Sequence, residues 1–137
     1  MTTRYAVKLA YDGREFYGSQ RQPGVLTVEE EIIECLQRIK AIEGADQSRF
    51  RSASRTDRGV SALGNVVAFN TDFQKGRLLR AMNSASERVY FYGLAVVPAS
   101  FSPRRAMSRW YRYFLPAEGH DLLAVMECAA LFQGEHD

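Results

Sequence analysis

Cysteine and histidine are scarce in this 137-residue chain: Cys35, Cys128, His120 and His136 are all there are. Two cysteines do not make a disulfide framework. Each lies in an apolar-periodic stretch, where a buried free thiol is the expected state. The histidines are far apart in sequence, with no cysteine pair beside them, so no metal site is expected. Four prolines and ten glycines are too few for collagen or low-complexity disorder. No apolar run approaches the roughly 20 residues that a membrane helix needs. The first residues, Met1-Thr2-Thr3-Arg4-Tyr5, contain no apolar segment of the kind a secretory signal uses, so no signal peptide is expected. Lysine is rare too, since 15 of the 18 basic residues are arginine.

What is present fits one modest hydrophobic core. Hydrophobic residues make up 46% and charged residues 25%, an ordinary globular balance, and the length favours one domain over residues 1–137. The net charge of +2 conceals strong segregation. Residues 29–48 carry −4, residues 49–112 carry +9, and residues 113–137 carry −5 without a single basic group. Arginine offers phosphate a planar fork and stacks on bases, so the basic middle of the chain points towards nucleic acid.

Periodicity divides the chain into alternating strands and helices. Val7, Leu9 and Tyr11 alternate in a half-buried strand that Asp12-Gly13 ends as a turn. Thr27, three before Glu30, forms a capping box. Val28, Ile32, Cys35, Leu36, Ile39 and Ile42 then trace an amphipathic helix to near Gly44, its acidic groups outward. Short strands are expected at Arg49–Ala53 and Val66–Phe69, a weak helix over Lys75–Asn83, strands at Val89–Val97 and Met107–Leu115, and a last helix capped near Asp121. The order βαββαββα predicts an α+β fold, an antiparallel sheet with helices on one face.

The segment Arg51-Ser52-Ala53-Ser54-Arg55-Thr56-Asp57-Arg58-Gly59-Val60-Ser61 is small, polar and lies between two expected strands. Asp57 is the only acid between Asp46 and Asp72 and stands among Arg51, Arg55 and Arg58. Cations that close would keep its carboxylate ionised, ready to act as a nucleophile or to stabilise a cation. The residues alone leave a second reading open, a turn aspartate among solvated arginines.

The run from Arg55-Thr56-Asp57-Arg58-Gly59-Val60 to Val66-Val67-Ala68-Phe69 resembles the catalytic motif of the TruA family of tRNA pseudouridine synthases, G-R-T-D-x-G-V-H-A-x-G-Q-V. Four further stretches match in order. They are Tyr11-Asp12-Gly13 with Phe16 to Gln22, Thr27-Val28-Glu29-Glu30, Arg109-Trp110-Tyr111-Arg112-Tyr113, and Gly134-Glu135-His136-Asp137. Four positions depart from the family pattern: Ser54 stands for Gly, Ser61 for His, Asn65 for Gln and Ser19 for Trp.

The resemblance implies the pseudouridine synthase fold, of which this chain would be the RRM-like N-terminal half. It also implies isomerisation of uridine in the tRNA anticodon stem-loop, redox-neutral and without cofactor or metal, by a cytoplasmic homodimer. Asp57 takes the place of the catalytic aspartate. Arg55 takes that of the arginine which fills the space left by the flipped base, and Tyr111 that of the tyrosine which stacks on uracil. Read without the family, Arg55 is equally a structural partner for Asp57, and Tyr111 a core aromatic of its strand. Arg14, Arg21, Arg58, Arg77, Arg80, Arg104 and Arg105 are candidates for RNA phosphate contacts. The family's second half supplies an Arg or Lys that pairs with the aspartate, and no segment here matches it. The chain is therefore expected to be a truncated form with weak activity or none. The competing expectation is an α+β module that holds RNA without chemistry.

Overall fold

A computed structural model describes residues 1–137, which fall into two compact units, Met1–Met107 and Ser108–Asp137. The first unit is built on four strands, β1 (Thr3–Tyr11), β2 (Arg51–Ser52), β3 (Ala62–Thr71) and β4 (Val89–Val96), and two helices, α1 (Val28–Arg38) and α2 (Lys75–Ala85). The sheet runs β2-β3-β1-β4 and all its pairings are antiparallel. This is the α+β arrangement that the alternating pattern predicted.

Strand alternation explains which face is covered. Tyr5, Val7, Leu9 and Tyr11 of β1, opposite Val67 and Phe69 of β3 and Phe91 of β4, join one core with Ile32, Cys35 and Leu36 of α1 and Leu78 and Met82 of α2. Each fully buried aliphatic or aromatic side chain of that core contributes about 1.5–3 kcal/mol. The intervening residues, among them Lys8, Ala10, Val66, Tyr90 and Tyr92, point to the other face and stay exposed or half-buried. At one end of that face Arg4 is buried. Its guanidinium donates to the Phe101 carbonyl at 2.9 Å, to Asn70 Oδ1 at 2.9 Å and to the Arg49 carbonyl at 3.3 Å. Burial, and then the charges of Arg49 and Arg51, push its pKa down, while the three acceptors keep the buried cation solvated.

Helix α1 differs from expectation in three ways. Thr27 caps it by accepting the Glu30 N–H at 3.3 Å, but the Val28 and Glu29 N–H groups go to the carbonyls of Gly18 and Ser19. The first loop thus satisfies two orphan N–H groups of the helix that the Thr27 cap does not reach. The helix also stops at Arg38, short of Gly44. The Lys40 N–H bonds to the Gln37 carbonyl and the Ala41 N–H to the Leu36 carbonyl, each at 2.8 Å, with Lys40 at φ 58°. These bonds form a Schellman motif, which ends the helix even though Ile42 continues its apolar period. Finally, Glu31 is buried rather than outward (5% exposed). It accepts the Ser86 hydroxyl at 2.8 Å and lies 3.7 Å from Arg88, partners that a buried charge requires.

The second unit overturns one expectation about its elements. Residues 107–115 form no strand. Alternation of aromatics sets a period but supplies no neighbour, and the sheet contains no strand from this segment to complete a ladder with it. Trp110, Tyr111, Tyr113 and Phe114 are exposed. Helix α3 (Leu122–Ala130) does form, with Asp121 Oδ1 accepting the Leu123 and Ala124 N–H groups. None of its residues is buried. Cys128 on α3 is exposed, against expectation, whereas Cys35 is a buried free thiol with its pKa raised to about 11, chiefly by burial. No helix in either unit is long and apolar enough to cross a membrane.

Lysine at the left-handed position of the Schellman motif carries a Cβ penalty of about 1 kcal/mol that glycine avoids. Lys40→Gly is therefore expected to raise the urea midpoint, by an amount equivalent to about 0.5–1 kcal/mol, without changing the slope of the transition.

Candidate active site

Two loops meet at Asp57. One leaves β1 through Asp12 and a short 3₁₀ turn, Gly13–Glu15, and continues to Gln22. The other joins β2 to β3. Gly13 lies so close to the second loop that a Cβ would stand 2.1 Å from the Val60 carbonyl oxygen, so only glycine lets the loops touch. The Gly13 N–H donates to Ser61 Oγ at 2.9 Å. Farther along, the Ser19 N–H donates to the Thr56 carbonyl at 2.9 Å, and the Thr56 N–H donates to Ser19 Oγ at 2.7 Å. Tyr11 Oη and Thr56 Oγ1 are 2.8 Å apart and share a hydrogen bond.

Three of the four positions that depart from the family pattern, Ser19, Ser61 and Asn65, supply bracing side chains. Ser19 and Ser61 hold the two loops together as just described. Asn65 accepts the Ser54 N–H at 3.4 Å and donates to the Ser54 carbonyl at 3.0 Å, closing the base of the second loop. Between these braces the Asp57 carbonyl accepts the Val60 N–H at 3.1 Å. Gly59, at φ 81°, occupies the turn position that requires positive φ. The turn presents the Asp57 side chain outward, on a backbone tied at both ends.

A cavity of about 330 Å³ opens beside it, lined by Tyr17, Ser19, Gln22, Arg55, Asp57 and Arg58 among others. Asp57 is its only acidic lining residue. Arg58 lies over the Tyr17 ring at 4.2 Å, a cation–π contact. Neither Arg55 nor Arg58 forms an ion pair with Asp57; Arg14 pairs with Asp12, Arg21 with Glu29 and Arg88 with Glu31. The structural pairing weighed for Arg55 and Asp57 is thus absent. Arg51 has turned away to donate to the Phe50 carbonyl at 2.7 Å.

The expected site residues are therefore sorted by the fold. Arg55, Asp57 and Arg58 share one cavity. Arg21 belongs to the adjoining loop and is 3.8 Å from Glu29. Arg14 is engaged by Asp12. Arg77 and Arg80 are exposed on α2, and Arg104 and Arg105 follow Pro103; neither group lines the cavity. Tyr111 belongs to the second unit and is 73% exposed. Tyr11, Tyr17 and Ser19 fall within the stretches that carry the family resemblance, but none was expected as a site residue.

No family model matches this chain. A tRNA pseudouridine synthase A from Thermococcus kodakarensis is 50% identical over 137 residues, and one from Pyrococcus furiosus 45% identical over 135. A more distant one, from Methanosarcina mazei, is 43% identical over 136 residues. The chain is a homologue of the tRNA pseudouridine synthase A proteins. Each of these matches takes in 98% of this chain, and the chain spans about half the length of the relatives.

Two outcomes follow from the geometry. Ser19 is 2% exposed, so Ser19→Ala strands the Thr56 N–H at a cost of about 1–3 kcal/mol; urea unfolding measures the loss, and faster hydrogen exchange at Thr56 locates it. Asp12 has its carboxyl lowered from 3.8 to about 2, first by the side-chain hydrogen bond from Arg14 and then by the Arg14 backbone N–H. The stabilisation it supplies is complete above about pH 4 and disappears as pH falls through 2. Its size is small, because both side chains are solvated. The urea midpoints of wild type and Asp12→Asn should differ at pH 5 and converge towards pH 2.

Proposed function

We propose that this chain is the catalytic-aspartate half of a tRNA pseudouridine synthase, an isomerase that converts uridine to pseudouridine in the anticodon stem-loop. The observation that carries the reading is the cavity of about 330 Å³ in which a single carboxylate, Asp57, stands with two guanidiniums and an aromatic ring. That volume suits a nucleoside-sized group. The half-length homology to tRNA pseudouridine synthase A supports the same reaction.

Cleavage of the uridine N1–C1′ bond leaves positive character on the ribose, which a carboxylate stabilises or traps, as in glycoside hydrolysis. In the proposed sequence Asp57 is the nucleophile. The uracil turns, its C5 bonds to C1′ while the bond that Asp57 formed breaks and restores the carboxylate, and the C5 proton passes to a base. The target base must first leave its stack. In this scheme Arg55, exposed at the cavity, fills the vacated space and binds phosphate. Tyr111 stacks on the uracil in this scheme and accepts its C5 proton. Arg14, Arg21, Arg58, Arg77, Arg80, Arg104 and Arg105 supply phosphate contacts and make tRNA binding salt-dependent. The same reading makes the enzyme a cytoplasmic homodimer.

The half-length match favours one alternative, an RNA-holding module without chemistry. Asp57 separates the two. In the protein as its gene encodes it, Asp57→Ala is expected to abolish tritium release from C5-labelled uridine in tRNA and to leave tRNA affinity close to wild type. Absence of release by the wild-type protein would favour the module. Full release by Asp57→Ala would remove Asp57 as nucleophile.

A further inference from the structure

The face of the sheet that α1 and α2 leave uncovered carries an aromatic pair that the proposed chemistry does not use. Tyr90 and Tyr92 of β4 stack nearly parallel, with ring centroids 6.1 Å apart and planes 15° from one another. They are 64% and 39% exposed. A β-bulge lies between the Lys8–Gly93 and Leu9–Phe91 pairings, at the residue that carries the second ring. Bulges of this kind re-aim a side chain.

Several contacts fix Tyr92 in place, and Tyr90 stacks against it. The Tyr92 hydroxyl donates to the Leu63 carbonyl at 2.6 Å. A Cβ on Gly64 would stand 3.3 Å from the Tyr92 hydroxyl oxygen, so a side chain there would crowd the anchored ring. The Lys8 ammonium sits over the Tyr92 ring, 5.8 Å from its centroid. Around the rings the surface is low, because Ala10 faces Tyr90 and Gly93 faces Lys8. Tyr90 also borders an open groove of about 670 Å³ that reaches Ser61 and Leu63. These residues end the Asp57 loop and begin β3. The platform and the candidate site are therefore joined by a few residues of backbone.

A solvated sheet face is ordinarily polar, and these rings bury no core. Exposed aromatic faces, one of them anchored, with a cation alongside match what unpaired nucleotides need: a π surface for the base and positive charge for the phosphate. The excess of +9 over residues 49–112 supplies the longer-range attraction. We propose that Tyr90 and Tyr92, with Lys8, form a stacking platform for unpaired RNA bases next to the Asp57 loop. The choice of RNA as the nucleic acid rests on the function proposed above.

Fluorescence anisotropy of an end-labelled single-stranded oligouridylate at low salt tests the platform directly on this chain. Tyr90→Leu keeps apolar bulk but loses the π face, and is expected to weaken binding about ten-fold or more. Tyr90→Phe keeps the face and should bind like wild type. Because Tyr90 is exposed, both variants should retain the wild-type circular dichroism melt. No binding by the wild type, undiminished binding by Tyr90→Leu, or an equal loss in Tyr90→Phe would each overturn the proposal. So would concentration-dependent sedimentation of the wild type that Tyr90→Leu abolishes without loss of RNA affinity, which would assign the face to a second copy of the chain. The tRNA assay keeps this inference distinct from the function. Tyr90-dependent oligonucleotide binding without tritium release leaves the platform standing and removes the isomerase, and tritium release with Tyr90-independent binding does the reverse.

Discussion

Ser19 is the point on which the rest of the site depends. Its N–H and hydroxyl close two hydrogen bonds with Thr56, and its carbonyl accepts the Glu29 N–H at the start of α1. One small residue therefore ties the first loop, the first helix and the residue before Asp57 into a single frame. Each of these backbone groups would otherwise be an unpaired donor or acceptor away from water, a costly state. The frame bears on the proposed reaction, because a reacting carboxylate must be held by rigid neighbours rather than by a free loop. Glu29 extends the frame through its side chain, which accepts from Ser52 and pairs with Arg21.

The electrostatics of the site follow from what the frame leaves unpaired. Arg51 donates to its own chain and Arg58 lies on Tyr17. Arg14 is taken by Asp12 and Arg21 by Glu29. Crowding basic residues in sequence around Asp57 thus does not neutralise it by ion pairing. Two guanidiniums, Arg55 and Arg58, line the cavity beside it without an internal salt bridge to Asp57.

Much of the first unit was legible beforehand. The β1 alternation, the Thr27 cap, the α2 span and the turn before β3 all follow from local rules, and the structure places them within a few residues of expectation. The misses share a physical origin. Helix α1 ends at a Schellman motif with Lys40 in the position that glycine usually marks, so no local signal stops the apolar period. Glu31 is buried because Ser86 and Arg88, distant in sequence, supply its partners. The aromatic alternation at 107–115 has a strand's period, but no neighbouring strand is present to pair with it.

By itself, the sequence determined the element types of the first unit, the core-facing residues of β1, α1 and α2, and the basic middle of the chain, while only the family resemblance singled out Asp57. These depend on residue identity and short-range spacing, which the chain carries locally. Tertiary structure decided that Ser19, Ser61 and Asn65 are braces rather than mere departures from a motif. It also decided that Arg55 stands apart from Asp57 and that Tyr90 and Tyr92 meet on the uncovered sheet face. Those outcomes require residues tens of positions apart to come within hydrogen-bond or stacking distance, and no period or spacing in one dimension encodes that.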